Sequence, residues 1–84
     1  MPEITRFYGI IIKMLFIQSE HPPPHIHAIY GEYISAIDIN ECKQLAGDLP
    51  DKALALVLEW VKLYKSQLLD IWETQKFRDL PPLK

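Results

Sequence analysis

The stretch "HIHAIYGEYISAID", His25–Asp38, decides the fold. Two runs of β-branched and aromatic residues flank Gly31-Glu32, and such residues favour strands. Glycine at the first central position of a two-residue connection suits a type II′ hairpin turn. The expected strands are therefore His25–Tyr30 and Tyr33–Ile39. Counting outward from the turn sets Tyr30 opposite Tyr33, Ile29 opposite Ile34, Ala28 opposite Ser35, His27 opposite Ala36, Ile26 opposite Ile37 and His25 opposite Asp38. Directly opposed residues project to the same side of a hairpin. One face then carries Ile26, Ala28, Tyr30, Tyr33 and Ile37, a core surface. The other carries His25, His27, Ala36 and Asp38, a small polar surface floored by alanine.

Upstream, Gln18–Pro24 reads as a loop, because Pro22, Pro23 and Pro24 donate nothing to a sheet ladder and favour an extended conformation. Ile4–Phe16 reads as a strand interrupted by a bulge or bend at Gly9. Ile10, Ile12, Met14 and Phe16 share one of its faces, with Ile11, Lys13 and Leu15 on the other. Apolar residues on both sides predict cover on both faces over Ile10–Ile12. Downstream, a turn near Asn40-Glu41 leads into a short strand around Lys43–Ala46.

The segment "DLPDKALALVLEWVKLYKSQLLDIWETQKF" reads as one long helix. Pro50 lies near its start with Asp48 and Asp51, and Lys76 and Arg78 lie near its end, as the helix dipole favours. Leu49 precedes a proline and reads as a cap. Ala53, Leu56, Val57, Trp60, Tyr64, Leu68 and Ile71 form a stripe assigned to the sheet, with Trp60 as its anchor. A second seam, Leu54, Leu58, Val61, Leu68 and Trp72, recurs at heptad spacing. One straight helix cannot bury both stripes on one small sheet. Either the helix bends near Lys65-Ser66 with the Leu80–Leu83 tail folded over it, or Leu54, Leu58, Val61 and Trp72 meet a protein partner or a second copy.

The expected whole is a single α+β domain over residues 1–84. It has an antiparallel sheet of three to four strands in 1–47, a helical part in 50–78 and a tail in 79–84. Eighty-four residues bury only about 60–65% of their unfolded surface, so the core is thin. With 49% hydrophobic and 24% charged residues, the composition is that of an ordinary globular chain. A net charge of −2 and a pI near 5.8 argue against a domain-wide grip on nucleic acid. Cys42 is the sole cysteine, which excludes an internal disulfide. The opening "MPEITRF" lacks a signal-peptide layout, and "YGIIIKMLFI" contains Lys13 and is too short to span a bilayer. A reducing cytoplasm and no membrane partner are expected.

Three chemistries fit the histidine face. Alternate strand residues lie roughly 6.5–7 Å apart, a distance that imidazoles bridge to one ion. His25 and His27 can thus ligate zinc or another divalent metal, with His21 and Glu20 as further donors and Asp38 as a ligand or second acceptor. Alternatively, His25 paired with Asp38 is a general acid–base couple, suited to phosphoester hydrolysis without a cofactor. The third reading is structural: His25 closes the open end of the hairpin against Asp38.

"RFYGI" (Arg6–Ile10), "PPHIHAIYGE" (Pro23–Glu32), "AIDI" (Ala36–Ile39) and "LVLEW" (Leu56–Trp60) together carry a family resemblance. In order and spacing they resemble a family of small bacterial proteins known as domain of unknown function 4160. His25, His27 and Asp38 sit at matching positions, and Ile26 stands where the family pattern has an aromatic. The resemblance implies no defined activity. It does imply a setting, since such proteins are often encoded beside another small protein in toxin–antitoxin-like gene pairs. Some carry a transcriptional-regulator label, but this chain has no helix-turn-helix and no basic recognition helix.

Overall fold

The computed structural model describes residues 3–14 and 23–84. Leu15, Phe16 and most of the expected Gln18–Pro24 loop lie outside them. Five strands form one antiparallel sheet in sequence order: β1 (Glu3–Phe7), β2 (Ile10–Lys13), β3 (His25–Tyr30), β4 (Tyr33–Asp38) and β5 (Lys43–Gly47). Two helices follow, α1 (Asp51–Leu63) and α2 (Lys65–Thr74). The α+β class is as expected, but the sheet has five strands where three to four were expected, and the single helix is two.

The extra strand arises at Tyr8-Gly9. Both residues have positive φ, 49° and 80°, the pattern of a type I′ turn. What reads as an interruption within one strand is therefore a hairpin, and it folds β1 back on β2. Arg6 faces Ile11 and Phe7 faces Ile10 across it. The Gly31-Glu32 turn has positive φ only at Gly31, as a II′ turn requires. All six β3–β4 pairs match the expected register, including His25 with Asp38 and His27 with Ala36. The turn at residues 39–42 delivers the expected last strand, which runs one residue further, to Gly47.

One face of the sheet is core. Ile4, Ile10, Ile12, Met14, Ile26, Ala28 and Ile37 are buried against Val57, Trp60, Val61, Leu68 and Ile71 of the helices. Ser35, on the same face, is buried with its hydroxyl between Gln44 Oε1 at 2.7 Å and the Ala46 carbonyl at 2.8 Å. Tyr30 and Tyr33 share this face by alternation but lie at its rim, 37% and 40% exposed. They sit at the hairpin tip, beyond the reach of the helices. On the opposite face Ile11 and Ile29 are half-buried and Ile34 is exposed, so the second cover expected over Ile10–Ile12 is incomplete.

The helical segment breaks at Tyr64, one residue before the expected bend. Tyr64 leaves helical geometry (φ −114°, ψ 22°) while its N–H still donates to the Trp60 carbonyl at 3.1 Å. The break lets both apolar stripes reach one core: Val57 and Trp60 from α1, Leu68, Ile71 and Trp72 from α2. Lys65 Nζ donates to the Asn40 carbonyl at 2.9 Å and fixes α2 beside the β4–β5 turn. Pro50, rather than Leu49, is the N-cap of α1, and Leu49 is buried. Helix α2 ends at Gln75 in the left-handed region, so Lys76 and Arg78 lie beyond it. The tail folds over the core as one of the two readings expected. Leu80 N–H donates to the Ile4 carbonyl at 2.9 Å, Trp60 Nε1–H donates to the Pro81 carbonyl at 2.8 Å, and Leu80 and Leu83 are buried.

Gly47 is the glycine with the least freedom. A Cβ there would lie 2.2 Å from the Ile34 carbonyl oxygen and 2.6 Å from Ser35 Cα, at φ +91°. Gly31 has φ +60° with open space around it. Gly31→Ala is expected to cost about 1–2 kcal/mol, the left-handed penalty alone. Gly47→Ala should cost more, because β4 must also move. Urea denaturation of both variants checks this, and equal midpoints would contradict the steric argument.

Candidate functional site on the histidine face

The hairpin register places His25 and His27 on the sheet face away from the main core. Their ring centroids are 5.2 Å apart, with planes at 67°. His25 is nevertheless buried at 8% exposure. It occupies the first position of β3, at the sheet end, where Trp72 of α2 comes within 5.3 Å of its ring. His27, two residues on, is half-buried. His25 is thus held between two aromatic rings, and His27 is the more open of the pair.

His25 Nδ1 lies 2.8 Å from the Pro23 carbonyl oxygen. A carbonyl only accepts, so Nδ1 carries the proton and Nε2 is the lone-pair nitrogen of the neutral ring. Pro24 contributes too, since its carbonyl accepts the Ile39 N–H at 3.0 Å and continues the β3–β4 pairing. The prolines therefore act through their carbonyls: one sets a histidine tautomer, the other closes the hairpin.

Asp38 is opposite His25 in register and buried at 4% exposure. Its Oδ1 accepts the Glu41 N–H at 3.0 Å, an aspartate–backbone bond that tightens the turn into β5. Among the described residues, the carboxylate bonds this amide rather than the His25 ring. Its neighbour across the sheet on the other side is Lys43. Cys42, at positive φ, turns its thiol toward the Ile39 carbonyl at 3.5 Å.

Among the described residues, no group of three or more His, Cys, Asp or Glu side chains is arranged to hold a metal ion. His21 and Glu20, the further donors expected from the sequence, lie outside those residues. His25 and His27 are brought together, which gives two nitrogens of a ligand set. Elsewhere on the same face, Arg6 donates to Glu3 at 2.7 Å. That hydrogen bond and the charge of Arg6 hold the Glu3 carboxyl below the usual carboxylate range.

Of the four residues expected to face a partner, Val61 and Trp72 are buried in this chain's own core. The helix break turns them inward. Leu54 and Leu58 are half-buried. Leu58 lines an open depression on α1 with Ala55, Glu59, Lys62 and Leu63, none of them a histidine. Sequence reasoning missed two neighbours of the histidines. Trp72 was assigned to a partner seam, and Lys13, directly opposite His27 on β2, was assigned only to a strand face. The Tyr8-Gly9 hairpin pairs β2 with β1, and Lys13 meets His27 through the separate β2–β3 pairing.

A family model described as "Domain of unknown function (DUF4160)" matches residues 9–73. No curated protein and no solved structure matches the chain.

The Pro23 contact makes a spectroscopic prediction. In a long-range ¹H–¹⁵N correlation spectrum at a pH where the rings are neutral, His25 should show the Nδ1–H tautomer. Dominance of the Nε2–H form would contradict the Pro23 bond.

Proposed function

This chain belongs to the DUF4160 family, and we propose that it works as a protein-interaction module, one half of a toxin–antitoxin-like pair. The supporting observation is a row of isoleucines on the sheet face opposite the helices. Ile11 pairs with Ile29, and Ile29 with Ile34, across three neighbouring strands. Ile11 and Ile29 are half-buried, and Ile34 is 59% exposed. A contiguous apolar row on a sheet marks a surface for a partner, where a scattered leucine does not. The helix offers less than its sequence suggests, because only Leu54 and Leu58 of its seam remain near the surface, with Leu63 beside them.

A second reading has its own support. The His25–His27 contact, with Asp38 in register beside it, suits a histidine-based site that takes a metal ion or a phosphoester. In it His25 and Asp38 are the acid–base pair of the catalytic version, and His25, His27 and His21 the nitrogen donors of the metal version. Zinc or another divalent ion is the cofactor of that version, and the hydrolytic one needs none.

The interaction reading is tested with the product of the neighbouring gene, co-expressed with this chain. We expect a stable complex that Ile34→Lys weakens at least tenfold, or about 1.4 kcal/mol, with the thermal midpoint of the free chain unchanged. If Leu58→Lys weakens it instead, the contact lies on α1. A chain that stays monomeric and ignores that product defeats the reading.

A further inference from the structure

Helix α1 buries Val57 and Trp60 on one side and leaves the other side open. Ala55, Glu59, Lys62 and Leu63 are exposed there, and with half-buried Leu58 they line the open depression on this helix. At 62%, Leu63 is more exposed than any other large apolar side chain among the described residues. Leu56, seven residues earlier, shares its flank of the helix and is half-buried. Leu58 stands on the opposite flank. Two apolar borders thus enclose a charged middle.

Glu59 and Lys62 make up that middle, three residues apart and so side by side on the helix. Among the described residues, no hydrogen bond or ion pair engages either of them. The other long charges of the helical part differ: Lys65 is bonded to the Asn40 carbonyl, and Asp70 to Arg78. The order of the two free charges matters. In an antiparallel pair of identical helices related by a two-fold axis, residues i and i+3 of one face i+3 and i of the other. Glu59 of each copy then meets Lys62 of the other, and the contact forms twice. The same operation sets Leu63 of each copy beside Leu56 of the other. A parallel pair would instead bring Glu59 to Glu59, which like charges oppose.

From this self-complementary order we infer that the open face of α1 docks a second copy of this chain as an antiparallel helix pair. A partner surface of a single charge would meet either Glu59 or Lys62 with a like charge, whereas a second copy satisfies both. Each helix has 13 residues and is about 20 Å long. The interface is therefore small, and the dimer is one side of a concentration-dependent equilibrium. The inference goes beyond the proposed function and does not rest on it. The isoleucine row lies on the sheet face away from the helices, so both surfaces can be occupied at once.

Sedimentation equilibrium of the full chain at low ionic strength, over a wide range of concentration, reads the association directly. We expect a reversible monomer–dimer equilibrium that weakens with added salt. Glu59→Lys and Lys62→Glu should each weaken it at least tenfold, because each sets like charges together at two contacts. Mixed in equal amounts, these two variants should associate again, since unlike charges then meet at both contacts. Leu63→Ser should weaken the dimer too, and Ile34→Lys should leave it unchanged. Circular dichroism and the thermal midpoint establish that the variants fold. A chain that stays monomeric throughout overturns the inference. So do single charge variants that dimerise as the parent chain does, or a mixture of them that fails to associate. Loss of the dimer in Ile34→Lys overturns it as well, by placing the contact on the sheet. Binding of the neighbouring gene's product is a separate readout: if it persists in a chain that does not dimerise, this inference alone falls.

Discussion

Trp60 is completely buried, and three separate parts of the chain converge on it. Phe7 of β1 packs on its ring at 5.9 Å, Tyr64 at the helix break at 5.4 Å, and the tail accepts its indole N–H through the Pro81 carbonyl. A chain this short has room for one such centre. A buried indole also needs a partner for its N–H, so the tail is part of the core. The same residue thus joins the edge of the sheet, the turn between the helices and the last residues of the chain. The position of α2 follows from the bend beside it, and Trp72 reaches His25 because α2 lies where it does.

That chain of dependence explains what was legible in the sequence. The β3–β4 register followed from one glycine and two runs of apolar alternation, because a slip by one residue would exchange the faces of every side chain. The core stripe of α1 followed from 3.6-residue spacing. The Tyr8-Gly9 hairpin did not, since tyrosine at positive φ is uncommon and a single glycine within an apolar run also fits a bulge. The destination of Val61 and Trp72 was equally hidden. Two stripes on one helix imply either a bend or a partner, and only tertiary packing decides between them.

The candidate site was half legible for the same reason. Local register places His25, His27, Ala36 and Asp38 on one face, and the sheet keeps them there. What joins them from a distance could not be counted along the chain. Trp72 comes from a helix more than forty residues away, and Lys13 from β2, which pairs with β3 independently of the missed Tyr8-Gly9 turn. The backbone also took over roles expected of side chains. Pro23 orients His25 through its carbonyl, and Asp38 serves the Glu41 amide. The sheet therefore divides its labour by face: one is closed by both helices and the tail, and the other offers isoleucines beside a basic and imidazole row.

The tail has one more consequence, for the ends of the sheet. Every open sheet exposes two edge strands, and an unguarded edge recruits strands from other chains. Leu80 bonds the β1 edge at Ile4, and Pro81 and Pro82 follow with no N–H to offer a further strand. At the other end, β5 is short, begins with Lys43 and ends at a left-handed glycine, and its pairing with β4 is broken by an irregularity between Ala36 and Ile37. One edge is strapped and the other is charged, short and uneven. A five-stranded sheet in so small a chain thereby keeps its growth finite, and the tail acts as a guard against misassembly as well as a lid on the core.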